Sequence, residues 1–196
     1  MNGKTVLELK PKSIQKEVVL NQTVVIGNRI PKDYFTTSGH GESDITIHAG
    51  SYHLALKSAG IERCNIMTYS SILPKIATEI ERPEMTHGEV MESIMAVAHS
   101  KKGQPATAGI MYGWLYDKKT KEKYGGLVCE HNGNFSRSEV EKKLKASLNE
   151  LYINGFDDKY DLKDMKMIID SFTPKKKFGT ALVALCFKNY VVPIVN

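Results

Sequence analysis

The chain has 196 residues, of which 41% are hydrophobic, and its formal net charge is +5. A chain of this length can bury one good core, so we expect a single domain across residues 1–196. No stretch approaches the roughly 18 consecutive apolar residues of a membrane-spanning helix, and the N-terminus lacks a secretory apolar segment. The composition therefore predicts a cytoplasmic protein without a membrane partner, and the slight basic excess is too weak to indicate nucleic-acid binding.

The first fifty residues contain little regular periodicity. Residues 1–22 are polar and irregular, which predicts a weakly ordered arm or an edge strand. Residues 24–26 form a short β-branched run that favours a strand. Residues 36–50 are rich in glycine and poor in large apolar side chains, which predicts a long loop. Long ordered loops in compact domains are often functional, so this segment is a candidate for a site.

A short helix and a strand are predicted next. Residues 51–59 are good helix formers, with Ser51 as the expected N-cap and Gly60 as the expected left-handed C-terminal residue. Residues 64–69 are strand-like. The pattern stops at residues 70–74, where a proline removes a backbone donor and restricts the residue before it.

Apolar strand-like segments dominate the rest of the chain, at residues 89–99, 106–116, 124–131, 165–172 and 180–187. The first three have short connections and predict an antiparallel meander, and the last is apolar at nearly every position, as in a strand buried on both faces. Between them, Ser136 and Glu139 form a capping box at the start of an amphipathic helix over residues 136–153. The apolar faces of the sheets must be covered, and two helices are available to cover them. The pattern therefore predicts an α+β fold, a four-layer αββα sandwich with mostly antiparallel sheets.

Cysteine and histidine usage argues against metal and disulfide chemistry. The three cysteines lie inside apolar runs, which is typical of small buried side chains in a reducing compartment; they are Cys64, Cys129 and Cys186. None of the six histidines has the spacing that zinc sites prefer, so we predict no metal. The short glycine motif at residues 39–41 lacks a following lysine, so we predict no nucleotide.

The serine pair Ser70-Ser71 lies between two apolar segments, where a plain strand would normally continue. Two serines at a strand end ordinarily form a turn. The alternative is self-processing, in which the hydroxyl of Ser71 attacks the carbonyl of Ser70 and elimination then leaves a pyruvoyl group. Only a hydroxyl or thiol after the cut can attack in this way, and a turn supplies the proximity.

The segment GIERCNIMTYSSILPKIA at residues 60–77 resembles the processing segment of the pyruvoyl-dependent arginine decarboxylases. Further blocks resemble this family in the same order, namely GHGESD at 39–44, YHLALKSAGI at 52–61, THGEVMESIMA at 86–96, YGGLVCEH at 124–131 and KKFGTALVALCF at 176–187. They span nearly the whole chain beyond residue 35. A serine pair alone is a weak motif, but an ordered set of blocks is a strong one.

The resemblance implies autocatalytic cleavage between Ser70 and Ser71. The products would be a β chain of residues 1–70 and an α chain of residues 71–196 that carries the pyruvoyl cofactor at its N-terminus, with no requirement for pyridoxal phosphate. It also implies a homotrimer or a hexamer, with each active site at a subunit interface. The partner of the site is then a small amino-acid substrate.

The resemblance also assigns roles to individual residues. Glu130 matches the catalytic glutamate of the family and is expected to protonate the carbanion left by carbon dioxide, with its pKa raised by the adjacent apolar strand. Asn65 matches the position whose amide polarises the reacting carbonyl during processing. Without the resemblance, Glu130 would be interpreted as a surface carboxylate and Asn65 as a turn residue. Ser70 only supplies the attacked carbonyl, so we expect it to be replaceable.

One substrate-binding position departs from the family pattern. A guanidinium is best bound by a carboxylate, and the family places that acid in the helix before the processing strand. Here the matching residue is His53, which is either a pocket residue or an exposed helix residue. Glu42 or Asp44 in the glycine-rich segment, or Glu62, are the alternative acids, and the sequence does not choose among them.

The predicted function is the decarboxylation of L-arginine to agmatine and carbon dioxide. The first alternative keeps the chemistry and changes the substrate to histidine, lysine, ornithine or aspartate. The second is a noncatalytic trimeric binding protein of the same fold.

Overall fold

A computed structural model describes residues 25–195, so the predicted arm at residues 1–22 lies outside the described residues. The chain separates into two compact units, of which the larger is Arg29–Val191. In chain order the strands are β1 (Val25–Ile26), β2 (Ile30–Pro31), β3 (Asp33–Ser43), β4 (Asn65–Thr68), β5 (Ile72–Pro74), β6 (Thr78–Glu79), β7 (Val90–Lys101), β8 (Ala106–Asp117), β9 (Lys123–Gly133), β10 (Tyr160–Phe172), β11 (Phe178–Phe187), β12 (Tyr190–Val191) and β13 (Ile194–Val195). The α-helices are α1 (His53–Ala59) and α2 (Arg137–Ile153).

Two large sheets form the centre of the larger unit. Among the described residues, one sheet has five strands in the order β4-β7-β11-β3-β6, and the other has four in the order β10-β8-β9-β5. Neighbouring strands are antiparallel except for the pairs β4–β7 and β3–β6, which are parallel. The smaller unit contains the antiparallel pair β1–β13. Within residues 25–195, neither helix is long and apolar enough to cross a membrane.

The two sheets pack face to face through alternate residues of their strands. Ile94 and Val183 of the five-stranded sheet share one buried cluster with Ile110 and Val128 of the four-stranded sheet. Side chains two residues apart along a strand point to the same face, so one face of each central strand enters this layer and the other faces a helix. β11 is buried at every position from Gly179 to Phe187, which confirms the prediction of burial on both faces.

Each sheet is covered by one helix on its outer face. Ala55 and Ala59 of α1 pack with Leu182 of β11, and Leu144 of α2 packs with Met111 of β8. The layers are therefore α1, the five-stranded sheet, the four-stranded sheet and α2. This order confirms the predicted αββα sandwich.

The prediction of a long loop at residues 36–50 is wrong for its first half, which lies in β3 between β11 and β6. The glycines that suggested a loop allow α1 to approach the sheet. A Cβ added at Gly39 would lie 2.5 Å from the backbone nitrogen of Ala59, and one at Gly41 would lie 2.6 Å from that of Ala55. Glycine in a strand often marks such a close approach.

The predicted start of α1 also needs correction. Ser51 is not its N-cap, because a π-helical segment, Ile47–Tyr52, precedes the helix and Tyr52 occupies the N-cap position. The buried hydroxyl of Ser51 instead lies 2.9 Å from the hydroxyl of Thr180. Gly60 does adopt the predicted left-handed conformation, with φ of 70°.

The second helix matches its prediction closely. The Ser136 hydroxyl accepts a hydrogen bond from the backbone N–H of Glu139, and the Glu139 carboxylate accepts one from the backbone N–H of Ser136. This capping box satisfies two of the donors that a helix start leaves unpaired. Val140, Leu144 and Leu148 are buried against the four-stranded sheet, as their spacing predicts.

Candidate active site

The chain crosses from one sheet to the other at the serine pair. β4 is an edge of the five-stranded sheet and β5 is an edge of the four-stranded sheet. The Tyr69 N–H donates to the Ser93 carbonyl of β7 at 2.8 Å, and the Ser71 carbonyl accepts from the Val128 N–H of β9 at 3.0 Å. The peptide between Ser70 and Ser71 therefore bridges two strands that are anchored to different sheets.

A tight turn holds the carbonyl that precedes Ser71. The carbonyl oxygen of Ser70 accepts a hydrogen bond from the backbone N–H of Ile72, with the two atoms 3.1 Å apart. Ser70 is exposed and Ser71 is half-buried, so solutes can reach the turn. The ring of Tyr69, just before the turn, packs against the ring of Phe187 with centroids 5.8 Å apart. The turn is thus accessible, but the residues on both sides of it are fixed by contacts with the two sheets.

Glu130 lies beside Ser71. It follows Val128 by two residues on β9, so its side chain points to the same face, towards the edge where β4 passes into β5. The Ser71 hydroxyl donates to the Glu130 carboxylate, with Oγ and Oε2 3.5 Å apart. Partial removal from water raises the pKa of Glu130, and the hydrogen bond from Ser71 opposes this only in part. The protonated form of the carboxyl group is therefore favoured to a higher pH than in a fully hydrated glutamate.

Asn65 does not meet the serine pair within one chain. Its side-chain amide donates to the Gly88 carbonyl at 3.1 Å, at the opposite end of β4 from Ser70. The five residues from Asn65 to Ser70 span about 16 Å in an extended chain. The amide of Asn65 is therefore not directed at the Ser70 carbonyl of its own chain.

The predicted substrate-binding residues lie at the other end of the five-stranded sheet. Glu42 pairs with Gly179, and Gly179 pairs with Ser100 of β7. The part of β7 from Ser100 to Ser93, the residue bonded to Tyr69, alone spans about 23 Å. His53 lies at the same far end, because the next residue of α1, Leu54, would meet a Cβ added at Gly41.

The two loop acids already have hydrogen-bond partners. The Glu42 carboxylate accepts from the backbone N–H groups of Lys175 and Lys176 at 2.7 and 3.2 Å. These bonds, with the backbone bond from Lys175 contributing most, lower the pKa of Glu42. Asp44 accepts from the backbone N–H of Lys177 at 3.0 Å. Both acids hold the loop before β11 in place within their own chain.

Two groups near the serine pair have no counterpart among the predicted site residues. They are the backbone N–H of Ile72, which contacts the Ser70 carbonyl, and that of Val128, which contacts the Ser71 carbonyl. Backbone donors occur at every residue except proline, so no residue type signals them. Only the pairing of β5 with β9 shows where they point.

Comparison with known proteins agrees with the resemblance in the sequence. A family model described as pyruvoyl-dependent arginine decarboxylase (PvlArgDC) matches residues 33–192. The pyruvoyl-dependent arginine decarboxylase AaxB of Chlamydia pneumoniae is 31% identical over 187 residues, covering 84% of this chain and 94% of its own. Two further relatives match shorter stretches. The pyruvoyl-dependent arginine decarboxylase of Methanopyrus kandleri is 41% identical over 69 residues, covering 35% of this chain and 45% of its own. Pyruvoyl-dependent arginine decarboxylase 2 of Archaeoglobus fulgidus is 31% identical over 111 residues, covering 54% and 67%.

Fold, site and similarity together define a decarboxylase, a carbon–carbon lyase whose cofactor is a covalently bound pyruvoyl group. The chain belongs to the pyruvoyl-dependent arginine decarboxylase family. The residues of the site fit this cofactor. A hydroxyl residue stands at position 71, Val128 holds its carbonyl, and the carboxyl group of Glu130 lies within reach of its side chain.

Proposed function

We propose that this protein cleaves itself between Ser70 and Ser71 and then decarboxylates L-arginine to agmatine and carbon dioxide. One observation carries the proposal: the Ser71 hydroxyl, on an accessible turn, lies 3.5 Å from a carboxyl group whose pKa is raised. A turn residue with no chemical role would not require an acid at this place.

In the proposed cleavage, the hydroxyl oxygen of Ser71 forms a bond to the carbonyl carbon of Ser70. The carbon–nitrogen bond breaks, and the hydroxyl proton passes to the freed amine, so an ester replaces the peptide. Loss of the α-proton and of the Ser70 carboxylate leaves dehydroalanine at position 71. Water then releases ammonia and leaves a ketone. The anchoring of Tyr69 and Ser71 to different sheets supports this path, because it restricts the turn around the reacting atoms.

The proposed decarboxylation uses the chain's own groups around position 71. A pyruvoyl group supplies a ketone for the substrate amine and an amide carbonyl that withdraws electrons as carbon dioxide leaves. That amide carbonyl is the backbone carbonyl of residue 71, so the Val128 N–H, at 3.0 Å, would stabilise the charge that it gains. Glu130, whose pKa is raised by partial removal from water, would deliver the proton that replaces the carboxylate.

The choice of arginine as substrate is supported by the names of the relatives, which are called arginine decarboxylases. The guanidinium of arginine calls for an acid. His53, Glu42 and Asp44 remain the candidates for this pocket in the proposal, although all three lie far from Ser71 of their own chain.

We further propose that a second copy of the chain brings these residues to the site, in a homotrimer or a hexamer. The two edge strands beside the serine pair expose apolar side chains: Met67 of β4 is 53% exposed and Ile72 of β5 is 58% exposed. Exposed apolar side chains clustered at sheet edges are typical of surfaces that a partner covers. Sedimentation of the purified protein should therefore give three or six times the mass of one chain, and a monomer that retained full activity would contradict this arrangement.

The proposal is tested by mass spectrometry of the purified protein and by carbon dioxide release from a panel of amino acids. We expect two fragments, residues 1–70 and residues 71–196, with a keto group blocking the N-terminus of the second. Release should be fastest from arginine, with histidine, lysine, ornithine and aspartate as the comparison substrates. An intact, unmodified chain that releases carbon dioxide would refute the cleavage, and faster release from another amino acid would refute the substrate.

A further inference from the structure

The donor to the Ser70 carbonyl is a backbone group, and its position in the fold is specific. Ile72 is the first residue of β5, an edge strand of the four-stranded sheet. Successive residues of a strand direct their backbone groups to opposite sides. Since the Ser71 carbonyl accepts from Val128 of β9, the N–H of Ile72 points away from β9, to the free side of the edge.

The turn places the carbonyl of Ser70 on this free donor, 3.1 Å from the nitrogen of Ile72. In the described part of the chain, the Ile72 N–H is the donor whose hydrogen bond the Ser70 carbonyl accepts. The same oxygen gains negative charge when the Ser71 hydroxyl attacks its carbon. A donor already at hydrogen-bond distance from the oxygen stabilises that charge without any rearrangement.

We infer that the backbone N–H of Ile72 is the oxyanion donor for the self-cleavage of this chain. The inference rests on the proposed function, since it concerns the step in which the ester forms. In that step the bond from the Ser71 Oγ to the Ser70 carbon forms, the carbon–nitrogen bond breaks, and the hydroxyl proton moves to nitrogen. The Ile72 N–H stays on the Ser70 oxygen throughout and takes no part in the proton transfer.

The test removes one N–H and measures the cleavage of freshly synthesised chain. Ile72→Pro lacks the donor, and proline is tolerated at the first residue of an edge strand. Ile72→Val keeps the donor and the β-branched side chain, so it is the matched control. We expect Ile72→Val to cleave within about twofold of the parent rate and Ile72→Pro to cleave on the order of 10²-fold more slowly, the range for the loss of one oxyanion donor.

Because proline also restricts Ser71, a second variant isolates the donor. Replacement of Ile72 by its α-hydroxy acid analogue exchanges the N–H for an oxygen and keeps the side chain. This variant should also cleave at least about tenfold more slowly, and mass spectrometry distinguishes a cut after residue 70 from hydrolysis of the new ester after residue 71. Cleavage within about twofold of the parent rate in this variant would overturn the inference.

Hydroxylamine identifies the step that is slowed, because it cleaves the ester once it has formed and so bypasses the later elimination. If the donor acts on ester formation, the cleavage of Ile72→Pro should stay slow in hydroxylamine. Recovery of the parent rate would place the defect after the ester and overturn the inference. Failure of the parent chain to cleave would refute the proposed function itself, whereas normal cleavage of the donor-free variants would refute only the role of Ile72.

Discussion

Replacement of Glu130 by glutamine tests the proposed proton donor directly. The substitution keeps the size of the side chain and removes the ionisable carboxyl group that lies beside Ser71, where Oε2 and Oγ are 3.5 Å apart. A positioned general acid contributes about 10²–10⁴-fold to a rate. Glu130 is solvent-accessible in the single chain, so water can partly replace it, and we expect the lower half of that range. A 10²–10³-fold loss corresponds to about 3–4 kcal/mol of transition-state stabilisation.

Steady-state kinetics on arginine should show this loss in kcat with little change in KM, since glutamine fills the same volume. The pH profile provides a second readout. Because the pKa of Glu130 is raised, the parent should keep its proton donor at low pH and lose activity as the pH rises through that raised pKa. This alkaline decline should be absent from Glu130→Gln.

Glu122→Gln is the matched control for this substitution. Glu122 is 71% exposed and pairs with Lys75 at 3.1 Å, in the connection between β8 and β9 and away from the serine pair. We expect its kcat to stay within about twofold of the parent, as for most surface substitutions. If Glu130→Gln kept kcat within about threefold of the parent, or kept the alkaline decline, Glu130 would not be the proton donor.

Three further substitutions, two of them paired with a control, test the cleavage and the packing of the helices on the sheets. Ser71→Ala should abolish cleavage on denaturing gels because alanine has no nucleophilic oxygen, whereas Ser70→Ala should still be cleaved; the reverse result would mean that another bond is cut. Gly41→Ala should lower the free energy of unfolding by about 1–3 kcal/mol, since its Cβ would lie 2.5 Å from the Cβ of Leu54, while Gly155→Ala, with nothing within 4 Å, should change little. Leu144→Ala should cost about 2–5 kcal/mol in urea unfolding, because Leu144 of α2 is fully buried against the four-stranded sheet; a cost below about 1 kcal/mol would contradict that packing.

The elements that could be predicted from the sequence are those whose signals are local. The capping box at Ser136 and the apolar spacing that follows depend on residues within one helix, and α2 forms as predicted. The antiparallel pairing of β8 with β9 also follows from apolar runs with a short connection. The predicted meander is wrong for β7, which lies between β4 and β11 in the five-stranded sheet. The loop prediction is wrong over β3 because Gly39 and Gly41 are required by the approach of α1, and no feature within the segment itself indicates that contact.

The same distinction between local and long-range signals applies to the candidate site. The resemblance to the family predicts Ser71 and Glu130 separately, but their 3.5 Å contact exists only because β5 pairs with β9, a long-range pairing. The donors on Ile72 and Val128 could not be predicted, since a backbone N–H carries no residue-type signal. The far position of His53 and Glu42 also follows from the register of β3 on β11 and not from any motif.

The crossing of the chain between sheets determines what would hold the two fragments together after the cut. Residues 1–70 contribute β3 and β4 to the five-stranded sheet, and residues 71–196 contribute β6, β7 and β11. β3 lies between β11 and β6, so strands of the two products alternate within one hydrogen-bonded ladder. The two fragments would therefore stay associated through these strands without a covalent link. Denaturation would separate them, and refolding would then require that the two polypeptides reassociate. Maturation of this kind would be a one-way event, after which the protein would persist through slow unfolding.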